Sequence, residues 1–285
     1  MKKVILLYGL TIALIITAVV GTSEKSAGEN IVTKNVVLLN EDYIPFIDTI
    51  TIENATILTL TATNNGYVGT YENLVFPVNF AKVNEMLLLI STQSKAEVEQ
   101  IASKNSRQST FVDGVGLKFS SFSDNSVFSS VIFGDLDFSG TMRYVKSTKN
   151  DDVYLIKDNL RSFLQTDPRA WLDPKLIADF LLQDEIMSIS LSYEDFTTEY
   201  LQGDIVFNEV LDSLFSLQSA TIVSPLTNDA PLHKIVITFR NGATELVEIH
   251  RNNETYVVVP QNNQLFYGLE ISEWTYEKLI TAFQK

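Results

Sequence analysis

The first 21 residues constrain this chain more than any other segment. Two lysines, Lys2 and Lys3, precede an unbroken uncharged stretch of 18 residues from Val4 to Gly21. Positive charge before an apolar segment favours insertion with the N-terminus in the cytoplasm and the following chain outside. A stretch of this length can cross a bilayer as a helix, at the short end of the usual range. We therefore predict a single-pass membrane anchor over residues 1–21, with the remaining chain folding outside the cytoplasm.

A cleaved secretory signal is the alternative for the same segment. Such signals usually have a shorter apolar core, followed by a site of small residues at which the leader is removed. Val19-Val20-Gly21 is a poor version of that site, although Ala18 offers another. Both interpretations export the rest of the chain, and they differ in whether the mature protein stays attached to the membrane.

Composition limits what the exported part can be. The formal charge is −14, from 35 acidic and 21 basic side chains, and the sequence contains no cysteine. An acidic surface repels phosphate backbones, which argues against nucleic-acid binding. The lack of cysteine excludes disulfides, thiol catalysis and a lipid-modified cysteine after the leader. Since no disulfide can staple the fold, its stability must come from an apolar core, which a chain of 285 residues can bury.

The region from residue 46 to residue 170 combines strand and helix signals. We predict one strand at Ile47–Ile52, with Ile50 and Ile52 on one face, and a second at Ile57–Ala62, where apolar residues alternate with threonine. Asn64-Asn65-Gly66 is a hairpin turn signal, and Asn79 can cap a helix. The other predicted features of this part are the helix face Val83, Leu87 and Ile90, the strands Tyr67–Tyr71, Gly116–Phe122, Ser126–Phe133, Thr141–Ser147 and Val153–Ile156, and a short helix capped by Asp158.

The same order of elements recurs after a junction around Trp171. Asp-Pro pairs flank this tryptophan and favour extended chain there. The segment Ile186–Leu191 repeats the alternation of the strand at Ile47, and Phe207–Leu211 (FNEVL) repeats the helical pattern of Val83–Leu87 (VNEML). The other predicted features are the strands Tyr193–Leu201, His233–Phe239, Thr244–His250 and Thr255–Val259, a helix beginning at Asp204 with Leu214 on its inner face, and a closing helix Ser272–Phe283.

These patterns predict an α+β fold in which an N-terminal membrane helix is followed by two similar halves of mainly antiparallel sheet with packed helices. The domains would be the anchor at 1–21, a tether and lead-in at 22–45, a first α+β repeat at 46–170 and a second at 171–285. A recurring order of elements is the sequence signature of an internal repeat. Neither helix can hide its apolar face alone, so each should lie across its own strands and form a small core of its own.

A set of residues from both predicted halves resembles the sequence pattern of a protein family. Its members are Lys2, Lys3, Ile47, Ile50, Ile52, Pro77-Val78-Asn79, Val153-Tyr154-Leu155-Ile156, Phe163-Leu164, Asp167-Pro168, Trp171, Asp173, Ile186, Ile189 and Leu191. Together they resemble an uncharacterised family of bacterial membrane-anchored envelope proteins, often encoded beside gliding-motility-type ABC transporters. The resemblance covers residues 1–195 well and the rest poorly, and Tyr67 or Tyr71 stands where a tryptophan is common. It implies a single-pass protein of the bacterial cytoplasmic membrane with an extracytoplasmic (periplasmic) C-terminal domain and no catalytic motif.

We assign no catalytic, cofactor-binding or metal-binding residue from the sequence. His233 and His250 are the only histidines, and they stand in no metal-ligand spacing such as HxxxH. No GxSxG motif accompanies them, which argues against a serine hydrolase. We expect His250, beside Arg251 at a strand end, to be an exposed side chain without a role.

Two further patterns have a structural interpretation beside a functional one. Asp135-Leu136-Asp137 could offer two carboxylates to Ca²⁺, with Asp124 or Asp151-Asp152 nearby, but the spacing fails the EF-hand pattern. In an alternating strand both aspartates would simply lie on one solvent face.

A run of phenylalanines could form a binding platform, although its spacing favours core packing on paired strands. This run comprises Phe119, Phe122, Phe128, Phe133 and Phe138.

The resemblance implies an extracytoplasmic accessory subunit of a membrane complex, of an ABC-transporter or gliding type, and the missing catalytic motifs favour a non-enzymatic role without a cofactor. Its expected partners are the membrane, through the N-terminal helix, and a membrane protein, but not nucleic acid. The alternative is a periplasmic or surface ligand-binding protein with a site between its two halves, since clefts between domains are common ligand sites. A deep cleft at the Asp167–Asp173 junction would favour that alternative.

Overall fold

The computed structural model describes residues 34–35, 37–64, 66–93, 97–100, 114–121, 126–148, 153–175, 185–193, 196–216, 218–219, 221–225, 230–261 and 265–284. The predicted anchor at 1–21 and most of the predicted tether lie outside these residues. Within the described part of the chain, no helix has the length and apolar character needed to span a membrane.

The first part of the chain forms a ten-stranded sheet in which every pair of neighbouring strands is antiparallel. The strands are β1 (Lys34–Asn35), β2 (Ile47–Glu53), β3 (Ile57–Thr63), β4 (Gly66–Tyr71), β5 (Leu74–Val78), β6 (Glu97–Gln100), β7 (Val115–Ser121), β8 (Val127–Leu136), β9 (Met142–Ser147) and β10 (Val153–Lys157). Their order across the sheet is β1-β6-β10-β9-β8-β7-β2-β3-β4-β5.

The second part forms a seven-stranded sheet that is also antiparallel throughout. The strands are β11 (Ile186–Tyr193), β12 (Phe196–Leu201), β13 (Thr221–Val223), β14 (His233–Phe239), β15 (Thr244–Asn252), β16 (Thr255–Pro260) and β17 (Gly268–Ile271), in the order β12-β11-β14-β15-β16-β17-β13. The prediction of mainly antiparallel sheet is therefore confirmed. Tyr193, which we assigned to the second strand of this half, instead ends the first.

Three α-helices pack on these sheets in the described residues: α1 (Phe80–Gln93), α2 (Phe207–Ser216) and α3 (Glu273–Ala282). Asn79 caps α1 as predicted, because its side-chain oxygen accepts a hydrogen bond from the backbone N–H of Lys82 at 3.1 Å. Ser272 caps α3 in the same way through the backbone N–H of Thr275. Two 3-10 helices, Glu41–Phe46 and Pro168–Ala170, lie outside the sheets.

The connectivity of the second sheet matches that of seven strands in the first. Read from the hairpin edge, the second sheet runs β12-β11-β14-β15-β16-β17-β13, and the first contains β3-β2-β7-β8-β9-β10-β6. In each sheet a helix follows the hairpin strands, and the next strand, β6 or β13, pairs with the last strand of the meander, β10 or β17. The pairing register also shifts at the same place, between Ile47 and Thr49 in one sheet and between Ile186 and Ser188 in the other.

The predicted helix faces are buried. In α1 the buried positions include Val83, Leu87 and Ile90, and in α2 they are Phe207, Val210, Leu211 and Leu214. The expectation of two separate cores is wrong, because the buried residues of both parts form one contiguous cluster that includes Trp171 and Leu172. The lead-in also contributes to this cluster, through Leu38 and Leu39.

The short helix that we predicted after Asp158 is absent from the described structure, where residues 161–163 form a turn. The Asp158 carboxylate does not cap a helix; it accepts two hydrogen bonds from the guanidinium of Arg143, at 2.9 and 3.1 Å. The apolar positions of this segment are nevertheless buried, since Leu160 and Phe163 are part of the core. Asp158 thus forms an ion pair with Arg143 instead of capping a helix, and the burial of Leu160 and Phe163 holds this segment in place without a helix.

Candidate functional site

A cavity of about 590 Å³ opens between the 3-10 helix Glu41–Phe46, the strands β2 to β4, and α1. This volume is within the range of small-molecule and side-chain binding pockets. The residues that line it are mainly apolar: Ile44, Pro45, Ile47, Ala62, Thr63, Asn64, Gly66, Tyr67, Phe80, Asn84 and Leu87.

Local sequence explains each wall of this pocket. Phe80, Asn84 and Leu87 are spaced four and three residues apart, so they form one stripe along α1. Asn40 caps the 3-10 helix by accepting a hydrogen bond from the backbone N–H of Asp42 at 3.1 Å. On the opposite wall, the turn between β3 and β4 requires a residue with positive φ, which Gly66 supplies at 136°.

Tyr67 and Phe80 form the rim of the pocket. Their rings stack with centroids 6.1 Å apart and an interplanar angle of 26°. Phe80 remains 53% exposed although it is apolar. Burial raises the pKa of Tyr67. Its phenol, neutral at neutral pH in any case, can donate a hydrogen bond.

The chemistry of the lining favours binding. The polar groups among the described lining residues are two amides, a threonine hydroxyl and the Tyr67 phenol, with no carboxylate, imidazole or amine. Such groups orient a ligand through hydrogen bonds but do not exchange protons near neutral pH. The pocket can therefore hold an apolar or aromatic group and orient a polar one beside it.

The two histidines lie far from this pocket, in the second sheet, and both are buried. The expectation that His250 is exposed is wrong, because it lies within β15 and is buried although it shares a face of that strand with Glu248. Its Nε2 is 3.6 Å from a carboxylate oxygen of Glu248, which is too long for a hydrogen bond. His233 lies beside two tyrosines, Tyr193 and Tyr276, with Nε2 2.7 Å from the Tyr276 hydroxyl. Its Nδ1 is buried without a hydrogen-bond partner among the described residues.

The setting of His233 predicts that acid destabilises the fold. Burial lowers the pKa of His233 from 6.5, because the charged imidazolium loses its hydration and Nδ1 has no hydrogen-bond partner among the described residues. The unfolded chain therefore binds a proton more readily than the folded one. The stabilisation is complete above about pH 6.5 and is lost as the pH falls from there through the lower folded-state pKa.

We expect the melting temperature of the wild type to fall more between about pH 7.5 and about pH 5.5 than that of His233→Gln. Glutamine is neutral at both values and retains a group that can bond to the Tyr276 hydroxyl. Carboxylates change protonation equally in both proteins, so the difference between the two curves isolates His233. Parallel curves would contradict the assignment.

The aspartates that we considered for Ca²⁺ do not converge. Asp135 lies in β8 and is exposed, whereas Asp137 follows the strand in a turn. The Asp137 carboxylate accepts hydrogen bonds from the Ser139 hydroxyl at 2.7 Å and from the backbone N–H of Met142 at 3.0 Å. These bonds lower the pKa of Asp137 and occupy its oxygens within its own turn. Asp124, Asp151 and Asp152 lie outside the described residues, and the described part contains no group of three potential metal-binding side chains.

The phenylalanine run is divided between core and surface. Phe119 and Phe133 are buried, as core packing predicts, and Phe128 is half-buried and stacks on Tyr43. Phe138 contradicts the prediction, because it is fully exposed at the tip of the turn that Asp137 closes. The alternating pattern ends with β8 at Leu136, so the next position no longer has an inner face. Phe122 lies outside the described residues.

The Asp167–Asp173 junction is packed where the structure describes it. Trp171 is buried, and its indole N–H donates to the carbonyl of Gln165 at 2.8 Å. The carbonyl of Trp171 accepts from the backbone N–H of Asn79, also at 2.8 Å. The pocket described above lies within the first part of the chain, not between the two parts.

No protein-family model, curated protein sequence or solved structure matches this chain. The resemblance to the envelope-protein family therefore rests on the residues given in the sequence analysis and stays a prediction.

Proposed function

We propose that this chain is a non-enzymatic interaction protein, an extracytoplasmic accessory subunit of a membrane complex, held at the bacterial cytoplasmic membrane by residues 1–21. The apolar run after Lys2 and Lys3 supports the location. The lining of the pocket supports binding, since its polar groups are neutral hydrogen-bonding groups. The resemblance favours an ABC-transporter or gliding-type complex as the partner.

The observation that carries the proposal is Phe80 at the mouth of the pocket. An apolar helix residue that is 53% exposed gains little from the fold. Exposed apolar surface beside a concave site is typical of protein-binding and ligand-binding surfaces. We infer that a partner inserts an apolar side chain between the Tyr67–Phe80 rim and Leu87. Asn64 and Asn84 would then bond to polar groups beside it.

The two sheets are, in this proposal, copies of one duplicated unit. The common strand order, the register shift at equivalent positions and the matching buried faces of α1 and α2 support it. The pocket lies in the first copy, where the hairpin of β4 and β5 is inserted between β3 and α1. Duplication followed by such additions gives each half a different surface.

Replacing Phe80 by aspartate should abolish capture of the partner. A carboxylate at the mouth of an apolar pocket disfavours the entry of an apolar side chain, because the carboxylate would lose its hydration without gaining a hydrogen-bond partner. The measurement is co-purification of the full chain from detergent-solubilised membranes, with identification of the bound proteins by mass spectrometry. We expect one membrane protein to accompany the wild type and to be lost from Phe80→Asp.

Leu88→Asp is the matched control. Leu88 lies on the same helix and is 54% exposed, but it does not line the pocket. It receives the same charge change and should retain the partner. Loss of the partner from both variants, or from neither, would contradict the proposal. If native mass spectrometry instead found a small apolar molecule released by Phe80→Asp, the ligand-binding alternative would replace it.

A further inference from the structure

The two sheets differ at one equivalent edge. In the first sheet β3 is paired on both sides, with β2 and with β4. Its counterpart β12 pairs with β11 and has no second neighbour among the described residues. An unpaired edge presents a row of free backbone N–H and C=O groups that can accept another strand.

Apolar side chains collect at this open edge. Phe196, the first residue of β12, is 75% exposed, and Leu201 at its other end is also exposed. Met187 and Tyr193 on the neighbouring strand and Ile205 beyond β12 are exposed as well. Monomeric proteins usually protect an edge with lysine or proline, but β12 reads Phe-Thr-Thr-Glu-Tyr-Leu and contains neither.

We propose that a second copy of this chain pairs with this edge, β12 against β12, to join two sheets across a two-fold axis. This pairing of two β12 strands is a further interaction beside the accessory-subunit function, and it does not depend on the pocket. In the first sheet, β4 shows that the equivalent edge accepts an antiparallel neighbour of the same chain.

The sequence of β12 selects one register for this pairing. Residues that face each other across an antiparallel pair lie on the same side of the sheet. Centring the axis on Thr198 places Phe196 opposite Tyr200, an aromatic pair, and Thr197 opposite Glu199. Tyr200 already lies on the side of α3, since its hydroxyl donates to the carbonyl of Phe283 at 2.6 Å. Centring on Glu199 would instead place two carboxylates directly opposite each other, which is unfavourable.

The absence of cysteine makes this register testable with a single introduced thiol. Opposed residues in an antiparallel pair have Cα atoms about 4.5–5.5 Å apart, within the range that a disulfide spans. Full-length Thr198→Cys, purified in detergent and mildly oxidised, should therefore shift from monomer to disulfide-linked dimer on a non-reducing gel. Thr197→Cys and Glu199→Cys should link far less, because each would lie diagonally from its own copy at about 7–8 Å.

Thr70→Cys is the matched control, an exposed threonine on β4, which has strands on both sides. It should stay monomeric. A second measurement uses Thr198→Lys, which opposes two ammonium groups at the axis, with Thr70→Lys as its control. Sedimentation should give dimer for the wild type and Thr70→Lys, and monomer for Thr198→Lys. Monomeric wild type, equal linking of all four thiols, or linking of Thr198→Cys only to another protein would overturn the proposal.

Discussion

Two single substitutions, Leu87→Asp and Leu211→Asp, should each lower the free energy of unfolding by about 4 kcal/mol or more. Both side chains are buried at equivalent positions of α1 and α2, facing the sheets. The substitution removes a packed side chain and forces a carboxylate to be buried without a partner or to drive the helix off the sheet. Urea denaturation followed by fluorescence would measure the change.

Leu88→Asp supplies the control, because Leu88 lies next to Leu87 on α1 but its side chain is exposed to solvent. We expect a change within about 0.5 kcal/mol for it. If Leu211→Asp behaved like Leu88→Asp while Leu87→Asp unfolded the protein, α2 would not pack as its counterpart does. The proposal of a duplicated unit would then lose one of its three supports.

The sequence predicts those features whose signals are local. The spacing of Ile50 and Ile52 locates β2, because a strand with one covered face needs an apolar residue at every second position. The helix faces follow from the spacing of Val83, Leu87 and Ile90 in the same way. The similarity of the two halves could be predicted because these local signals occur in the same order along each half.

The candidate pocket could not be predicted in that way. Its walls come from three segments, at 44–47, 62–67 and 80–87, which only the folded topology brings together. Pro45 gives no periodic signal, and the helical spacing of Phe80 with Leu87 does not show that Phe80 stays half-exposed. The burial of His250 also depends on tertiary context, since it alternates with Val247 and Ile249 and therefore lies on the face of β15 that the pattern assigns to solvent. A helix start at Asn79 followed at once by an aromatic residue was the one signal of a special site.

Trp171→Ala should destabilise the protein by about 3–5 kcal/mol, the usual range for truncating a buried tryptophan. Trp171 has no exposed surface. It packs against Phe163 and lies beneath the ammonium group of Lys82, 5.2 Å from the ring centroid. Its indole bond to Gln165 and its backbone bond to Asn79 fasten the junction to the start of α1. Truncation leaves a large cavity where the two parts of the core meet and leaves the carbonyl of Gln165 without its indole donor.

The chain carries its own control for this change, because its other tryptophan, Trp274, is 70% exposed on α3. Trp274→Ala should change stability by no more than about 0.5 kcal/mol. The two variants also separate the fluorescence of the protein, since a buried indole emits at shorter wavelength than a hydrated one. Trp274→Ala should retain blue-shifted emission that moves to the red on unfolding. A red-shifted spectrum in folded Trp274→Ala would mean that Trp171 is hydrated, and the junction would then be the open cleft that the ligand-binding alternative requires.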